Sequence, residues 1–217
     1  MKYPHARILV FSKAPEPGRV KTRLIATLGA GGAADLYREL LCSTLEMVTG
    51  SALCPVELWC SPAMADPFFE QCRQQYAVQL HEQVQGDLGG RMSHALQAAG
   101  KPEQPVLLIG ADCPTLCAAD LDEALTWLER DAGVVLGPAE DGGYYLIGMR
   151  GRYPYVFDDV PWSTPAVLEL TKARLQQRRV KLHCLTRRRD LDTADDYRAW
   201  LECCGNVING LPPGVPL

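Results

Sequence analysis

The sequence predicts one α/β domain, a three-layer α/β/α sandwich around a mostly parallel central sheet. Short apolar runs bounded by Gly, Pro, Ser or Asp alternate with longer segments of helical period, the pattern of strand-helix-strand units. The 217 residues are enough to bury a full core without disulfides or metals. No internal repeat, low-complexity stretch or long linker divides the chain, so a single domain over 1–217 is expected, with an ordered core over about 6–204 and a tail over 205–217.

Residues 6–12 (ARILVFS) read as the first buried strand. After a cationic loop, Leu36, Leu40, Leu41, Leu45 and Val48 recur at helical spacing through 34–48. Residues 55–61 (PVELWCS) follow as a strand, 66–75 as a helix, 77–83 as a strand and 89–100 as a helix closed by Gly100. The rhythm repeats with the apolar strand 104–112 (QPVLLIGAD) and a helix over 118–131 that carries Leu121, Ala124, Leu125 and Leu128 on one face. Residues 132–138 form another buried strand, and 142–149 (GGYYLIGM) a strand that opens on two glycines. Ser163 is a suitable N-cap for a helix over 164–177, with Pro165 in the tolerated first turn. A strand at 180–186 and a helix at 193–204 complete the order.

Composition narrows the function. With 47% hydrophobic and 22% charged residues the chain resembles an ordinary globular protein, and no apolar stretch approaches the roughly 20 residues of a membrane span. The apolar run near the N-terminus is too short for a signal-peptide core, so a cytoplasmic protein is expected. Nine cysteines, an odd number at scattered spacing and without Cys-x-x-Cys pairs, point to free thiols rather than disulfides or zinc. The four histidines, His5, His81, His94 and His183, have no metal-ligand spacing.

Charge is unevenly distributed. The net charge is −4, yet residues 12–24 hold Lys13, Arg19, Lys21 and Arg23 against Glu16, a local +3 that leaves −7 elsewhere. A mostly acidic surface with one cationic loop is unsuited to tracking nucleic acid and suits one or two phosphates.

Four stretches can carry chemistry at the carboxyl ends of strands, where open sheets bind ligands. The loop from Ser12 to Arg23 is rich in Gly and Pro and can wrap phosphates with N–H groups and cations, or it is a solvated turn; it lacks P-loop spacing. In LLIGADCP, Asp112 can hold a divalent cation against phosphate oxygens or simply cap a turn. In GPAEDGGYYLIG, Asp141 stands before Gly142 and Gly143, which allow close backbone approach, and before Tyr144; the alternative is a hairpin turn with its acids in water. In RRRDLDTADD, Asp190, Asp192, Asp195 and Asp196 include an N-cap for the last helix, and Asp192 is the candidate second ligand. Two weaker signals are QGDLGGRM, in which Asp87 or Arg91 could serve a sugar or base hydroxyl, and VPWST, in which Trp162 offers a stacking wall.

Taken together, FSKAPEPGRVKTRL, GDLGGRM, IGADCPTL, GPAEDGGYYLIG, VPWST and DLDTADD resemble a bacterial family assigned as glycosyltransferases, some of them linked to arsenosugar biosynthesis. The resemblance spans about residues 7–201 and implies the Rossmann-like nucleotide-diphospho-sugar transferase (GT-A) fold with about seven strands. It implies a nucleotide sugar or NTP as one substrate, a small-molecule acceptor as the other, and Mg2+ or Mn2+ on the pyrophosphate. By position, Ser12, Lys13, Arg19, Lys21 and Arg23 are expected at the phosphates, with Asp87 near the nucleotide. Asp112 and Asp192 are the expected metal ligands. Gly142, Gly143, Tyr144 and Trp162 are expected on the acceptor side, with Asp141 and Lys21 catalytic. Many glycosyltransferases carry an Asp-x-Asp metal motif; here Ala111 precedes a single Asp112, as in nucleotidyltransferases. The expected activity is metal-dependent glycosyl transfer, with nucleotidyl transfer and non-catalytic nucleotide binding as alternatives. A homodimer is an open expectation.

Overall fold

The structure, a computed structural model, describes residues 1–206. Seven strands form one sheet in the order β3-β2-β1-β4-β6-β5-β7. These are β1 (Arg7–Lys13), β2 (Val56–Ser61), β3 (Gln79–Glu82), β4 (Val106–Ile109), β5 (Gly133–Pro138), β6 (Tyr144–Arg150) and β7 (Leu182–Cys184). Every pairing is parallel except those of β6, which runs antiparallel to both β4 and β5. Among the described residues six α-helices cover the sheet: α1 (Ile25–Gly50), α2 (Pro67–Tyr76), α3 (Leu88–Ala98), α4 (Ala118–Arg130), α5 (Val167–Gln177) and α6 (Ala194–Asn206). Among the described residues no helix is long and apolar enough to cross a membrane. The expected tail falls partly within α6, and residues 207–217 lie outside the described residues.

Strand alternation divides the core. From β1, Ile8 and Val10 pack with Leu41 and Leu45 of α1, Phe69 of α2 and Leu121 and Leu125 of α4. Leu9, pointing the other way, joins Met92 and Leu96 of α3 and Leu168 and Leu175 of α5. The sheet is therefore a filled middle layer, and burying such leucines on both faces supplies about 1.5–3 kcal/mol each. A satellite cluster of Leu24, Leu36, Leu40, Leu191 and Tyr197 seats α6 against the start of α1.

Two local expectations are corrected. The first long helix begins at Ile25 rather than near 34, with a break at Gly29 (φ 70°, ψ 167°) that only a glycine adopts readily. Ser163 does not cap α5: it lies in the left-handed region (φ 65°) and the helix starts at Val167. Its place is taken by a tertiary bond, since the Leu168 amide donates to Gly142 O at 2.9 Å.

The topology fixes where a ligand fits. From β1 the chain winds outward to β2 and β3, then returns past β1 to β4. Its path reverses between β1 and β4, and the crevice beyond their carboxyl ends is the binding position of open α/β sheets.

Candidate active site at the switch point

A cleft of about 560 Å³ occupies that crevice, lined by Ser12, Lys13, Arg19, Lys21, Arg23, Asp112, Asp141, Gly143, Tyr144, Trp162 and Asp192 among others. Of the residues expected from sequence, Asp87 and Gly142 do not line it.

The loop after β1 forms one rim. Val20 is buried against Ala34 and Tyr37 of α1, and the Lys13 amide donates to Tyr37 Oη at 2.9 Å, so the loop is pinned at its apolar and backbone groups. Its cations are then divided in use. Arg19 Nε pairs with Glu16 at 3.0 Å, whereas Lys13 and Arg23 are exposed to the cleft and make no ion pair among the described residues. Lys21 adopts a left-handed backbone (φ 45°, ψ 42°) and turns inward, with only 4% of its side chain exposed. Its Nζ lies 2.7 Å from Asp192 Oδ1 and 3.6 Å from Asp112 Oδ2. Burial works against the ammonium, but the charges of Asp112 and Asp192 outweigh it and hold the Lys21 pKa above the ordinary lysine value.

The opposite rim is acidic, and its geometry follows from backbone ties. Leu191 N donates to Asp112 O at 2.8 Å, which lays the 188–192 segment along the end of β4. Arg188 anchors the same segment from behind: its amide donates to Pro138 O at 3.0 Å and its guanidinium to Asp120 of α4 at 2.8 Å. Capping of α6 falls to Thr193 and Asp196. Asp196 Oδ2 accepts from the amides of Asp192 (3.1 Å) and Thr193 (2.7 Å), and Thr193 Oγ1 accepts from the Asp196 amide (3.3 Å). This capping box leaves the side chains of Asp190 and Asp192 for the cleft.

Asp190 is the residue that sequence reasoning passed over. It lines the cleft with Asp112 and Asp192, and its Oδ1 is buried without a hydrogen-bond partner among the described residues. Burial first, then the charges of Asp112, Asp141 and Asp192, push its pKa up to about 8, with Lys21 opposing. In the sequence all four acids of RRRDLDTADD look alike; only the capping box and the Leu191–Asp112 tie separate them.

The third wall is the β5–β6 hairpin with its neighbours. Ala139 N donates to Gly143 O at 3.0 Å, and the Gly143 amide donates to Asp141 Oδ1 at 2.8 Å. Asp141 thus shapes the hairpin turn while its side chain stays exposed at the cleft. Gly142 (φ 89°) lets the turn approach α5 closely, since a Cβ there would stand 2.3 Å from Pro165 O. Tyr144 meets Trp162 edge-on at 6.5 Å, and Phe157 stacks behind the indole at 6.3 Å. The indole also lies over Gly89, where a Cβ would come within 2.6 Å of the ring. Thus one glycine of GDLGGRM makes room for the tryptophan of VPWST.

Asp87 caps α3, accepting from Gly90 N at 2.7 Å, and faces away from the cleft. The member of that motif that lines the cleft is Arg91. Its guanidinium donates to Oε1 of buried Gln83, whose Nε2 donates to Ser12 O (3.0 Å) and Trp59 O (2.6 Å). Ser12 is itself buried, so its backbone rather than its hydroxyl builds the site.

Among the described residues, no three His, Cys, Asp or Glu side chains stand together in ligating geometry. The oxygen donors nonetheless match what Mg2+ or Mn2+ takes: Asp190 has an orphaned buried oxygen, and Asp112 and Asp192 share one cation, the Lys21 ammonium.

Comparison with known proteins agrees with the fold. No curated protein is significantly similar to this chain. A crystal structure from Desulfovibrio desulfuricans G20, described as a "putative nucleotide-diphospho-sugar transferase", is 32% identical, with a TM-score of 0.86 over 94% of this chain and 90% of that one. At 12% identity, a CMP:2-keto-3-deoxy-manno-octonic acid synthetase complexed with CTP superposes with a TM-score of 0.59 over 94% of this chain and 99% of that one. A cytidylyltransferase from Leptospira borgpetersenii serovar Hardjo-bovis (strain JB197), 13% identical, also gives 0.59, over 94% of this chain and 88% of that one. These last two share the fold. Residues 44–164 match the family described as uncharacterized proteins conserved in bacteria (DUF2064), and the chain belongs to that family.

Proposed function

We propose that this protein is a transferase acting on a nucleotide-activated sugar. One observation carries the reading: free cations of the β1 loop share the cleft with the half-buried cluster of Asp112, Asp190 and Asp192, at the point where the sheet order reverses. The described function of the Desulfovibrio protein and the nucleotide-using enzymes that share the fold support it.

In this reading Lys13 and Arg23 bind the oxygens of the donor pyrophosphate, joined by Arg19 from its exchange with Glu16. They act where charge develops as the nucleoside diphosphate leaves, and preorganised cations there lower the barrier. Asp112 and Asp192 would hold Mg2+ or Mn2+, with phosphate oxygens and water filling the remaining positions. When bound, the cation supplies charge neutralisation at the leaving diphosphate. Lys21 ties Asp112 and Asp192 to one ammonium and so holds them in place. Asp141, exposed at the hairpin tip, orients the acceptor hydroxyl and accepts its proton. Tyr144 and Trp162 form the wall that keeps water from the acceptor side.

Nucleotidyl transfer is the second reading, favoured by one feature: Gly110 stands where a second aspartate would complete an Asp-x-Asp pair with Asp112, leaving a single carboxylate. In that case an acceptor attacks the α-phosphate of an NTP and pyrophosphate leaves. Phosphorus NMR of the protein in Mn2+-free Mg2+ buffer, with the four NTPs or UDP-, GDP- and dTDP-sugars and a panel of hydroxyl-bearing and phosphorylated small-molecule acceptors, separates the two. Release of a nucleoside diphosphate from a sugar donor is expected. Pyrophosphate from NTPs alone would replace this reading with nucleotidyl transfer, and binding without turnover of any donor would replace both with a non-catalytic nucleotide-binding protein.

A further inference from the structure

The cleft contains a cation that the proposed pyrophosphate chemistry does not use. Arg91 lines the cleft from α3, is partly buried, and forms no ion pair with any acid among the described residues. Its pKa is pulled below the ordinary arginine value by burial alone, with no carboxylate acting against it. A guanidinium withdrawn from water without a counter-charge is costly unless a ligand supplies one.

Its position is also built rather than incidental. Gln83 is buried to 4% exposure, and both acceptors on its amide, Ser12 O and Trp59 O, lie on the Nε2 side. The amide can face only one way, with Oε1 towards Arg91. One N–H of the guanidinium is thereby fixed, and the others remain for the cleft. The adjoining floor is apolar: Leu108 and Ile147 pair across β4 and β6 and share a cluster with Met92, Phe11 and Trp162.

We propose that Arg91, positioned by Gln83, is the binding residue for an anionic group, carboxylate or phosphate, on the acceptor substrate, whose apolar body rests on Phe11, Met92 and Trp162. The inference rests on the cleft being the substrate site and deepens that reading by naming the acceptor class. A neutral polyol leaves the guanidinium uncompensated, so it is discriminated against.

The test uses simple probes on the whole protein: benzoate and phenyl phosphate as anions on an apolar body, and benzamide as the neutral counterpart of benzoate. Binding is read from the Trp162 indole N–H resonance, assigned with Trp162→Phe, in wild type, Arg91→Met and Arg91→Lys. Arg91→Met keeps the apolar stem, and a melting curve confirms that it folds. Saturable shifts with benzoate or phenyl phosphate but not benzamide are expected, and whichever anion binds more tightly identifies the group. Losing the charge-assisted bond weakens that binding by at least about tenfold in Arg91→Met, with partial recovery in Arg91→Lys. Equal binding of benzamide, unchanged affinity in Arg91→Met, or no shift with any probe would overturn the proposal. Calorimetry with UDP, GDP, CDP and dTDP on the same variants keeps the two readings apart. Retained nucleotide binding in Arg91→Met is expected, whereas a parallel loss would reassign Arg91 to the nucleotide. Absence of nucleotide binding in wild type would remove the proposed function alone.

Discussion

Replacing Asp192 with Asn probes the electrostatic knot at the centre of the site. The substitution keeps shape and removes the charge 2.7 Å from Lys21 Nζ, leaving Asp112 at 3.6 Å as the nearest counter-ion. At an effective dielectric of about 20, the attraction at that separation is about 6 kcal/mol. Much of this offsets the cost of dehydrating a lysine with 4% of its side chain exposed, and solvent reaches 39% of the Asp192 side chain. Breaking a fully buried pair costs about 3–5 kcal/mol, so with that exposure a loss of about 2 kcal/mol is expected for Asp192→Asn. Lys21→Met removes the cation instead and leaves Asp112, Asp190 and Asp192 facing one another. In a double-mutant cycle by urea unfolding at pH 7, the two losses should overlap by at least about 1 kcal/mol. Strict additivity, or a loss below about 0.5 kcal/mol for Asp192→Asn, would refute the idea that Lys21 and Asp192 act as a pair.

Two further perturbations test how the walls of the site are held. Burial would raise the Asp120 pKa, but the Arg188 guanidinium and the Cys117 amide and thiol pull it below the usual aspartate value. Its ionised form therefore stabilises the fold above the unfolded-state pKa of about 3.9, and that contribution is lost as pH falls through the folded value. Asp120→Asn should lower stability at pH 7 by about 1–3 kcal/mol and flatten the acid limb of the stability–pH curve; an unchanged limb would contradict the assignment. At Gly89, alanine would place a Cβ within 2.6 Å of the Trp162 ring. Gly89→Ala should cost about 1–3 kcal/mol of overpacking and shift the Trp162 contribution to fluorescence, measured against Trp162→Phe; an unaltered spectrum would argue against the close approach.

The strands were legible because buried parallel strands are continuous apolar runs, as in ILVF and VLLI. Strand direction was only partly legible: β6 has the same apolar character as the parallel strands, and its antiparallel course rests on the hairpin turn after β5, which the sequence left as one of two alternatives. The start of α1 was hidden because Gly29, Gly31 and Gly32 interrupt the helical period that begins at Ile25. Charge concentration and strand ends located the cleft, but could not say which cation faces a phosphate and which a carboxylate. Lys21 turns inward through a left-handed backbone that no side-chain pattern announces. GDLGGRM offered both Asp87 and Arg91, and only the structure separates the N-cap aspartate from the arginine that lines the cleft, since an N-cap aspartate and a ligand-binding aspartate look alike in sequence. Asp190 was obscured for a related reason: its distinction from Asp192, Asp195 and Asp196 arises from a tertiary tie, Leu191 N to Asp112 O.

The central claim is that the β1 loop and the carboxylates clamp one nucleotide pyrophosphate between them, and titration calorimetry tests it most directly. Nucleoside diphosphates are titrated in the presence and absence of Mn2+ into wild type, Lys13→Ala/Arg23→Ala and Asp112→Asn. Mn2+ should tighten binding to wild type, the loop variant should weaken it about tenfold or more, and Asp112→Asn should abolish the Mn2+ effect. Nucleotide affinity that is indifferent to Mn2+ and unchanged in both variants would contradict the claim.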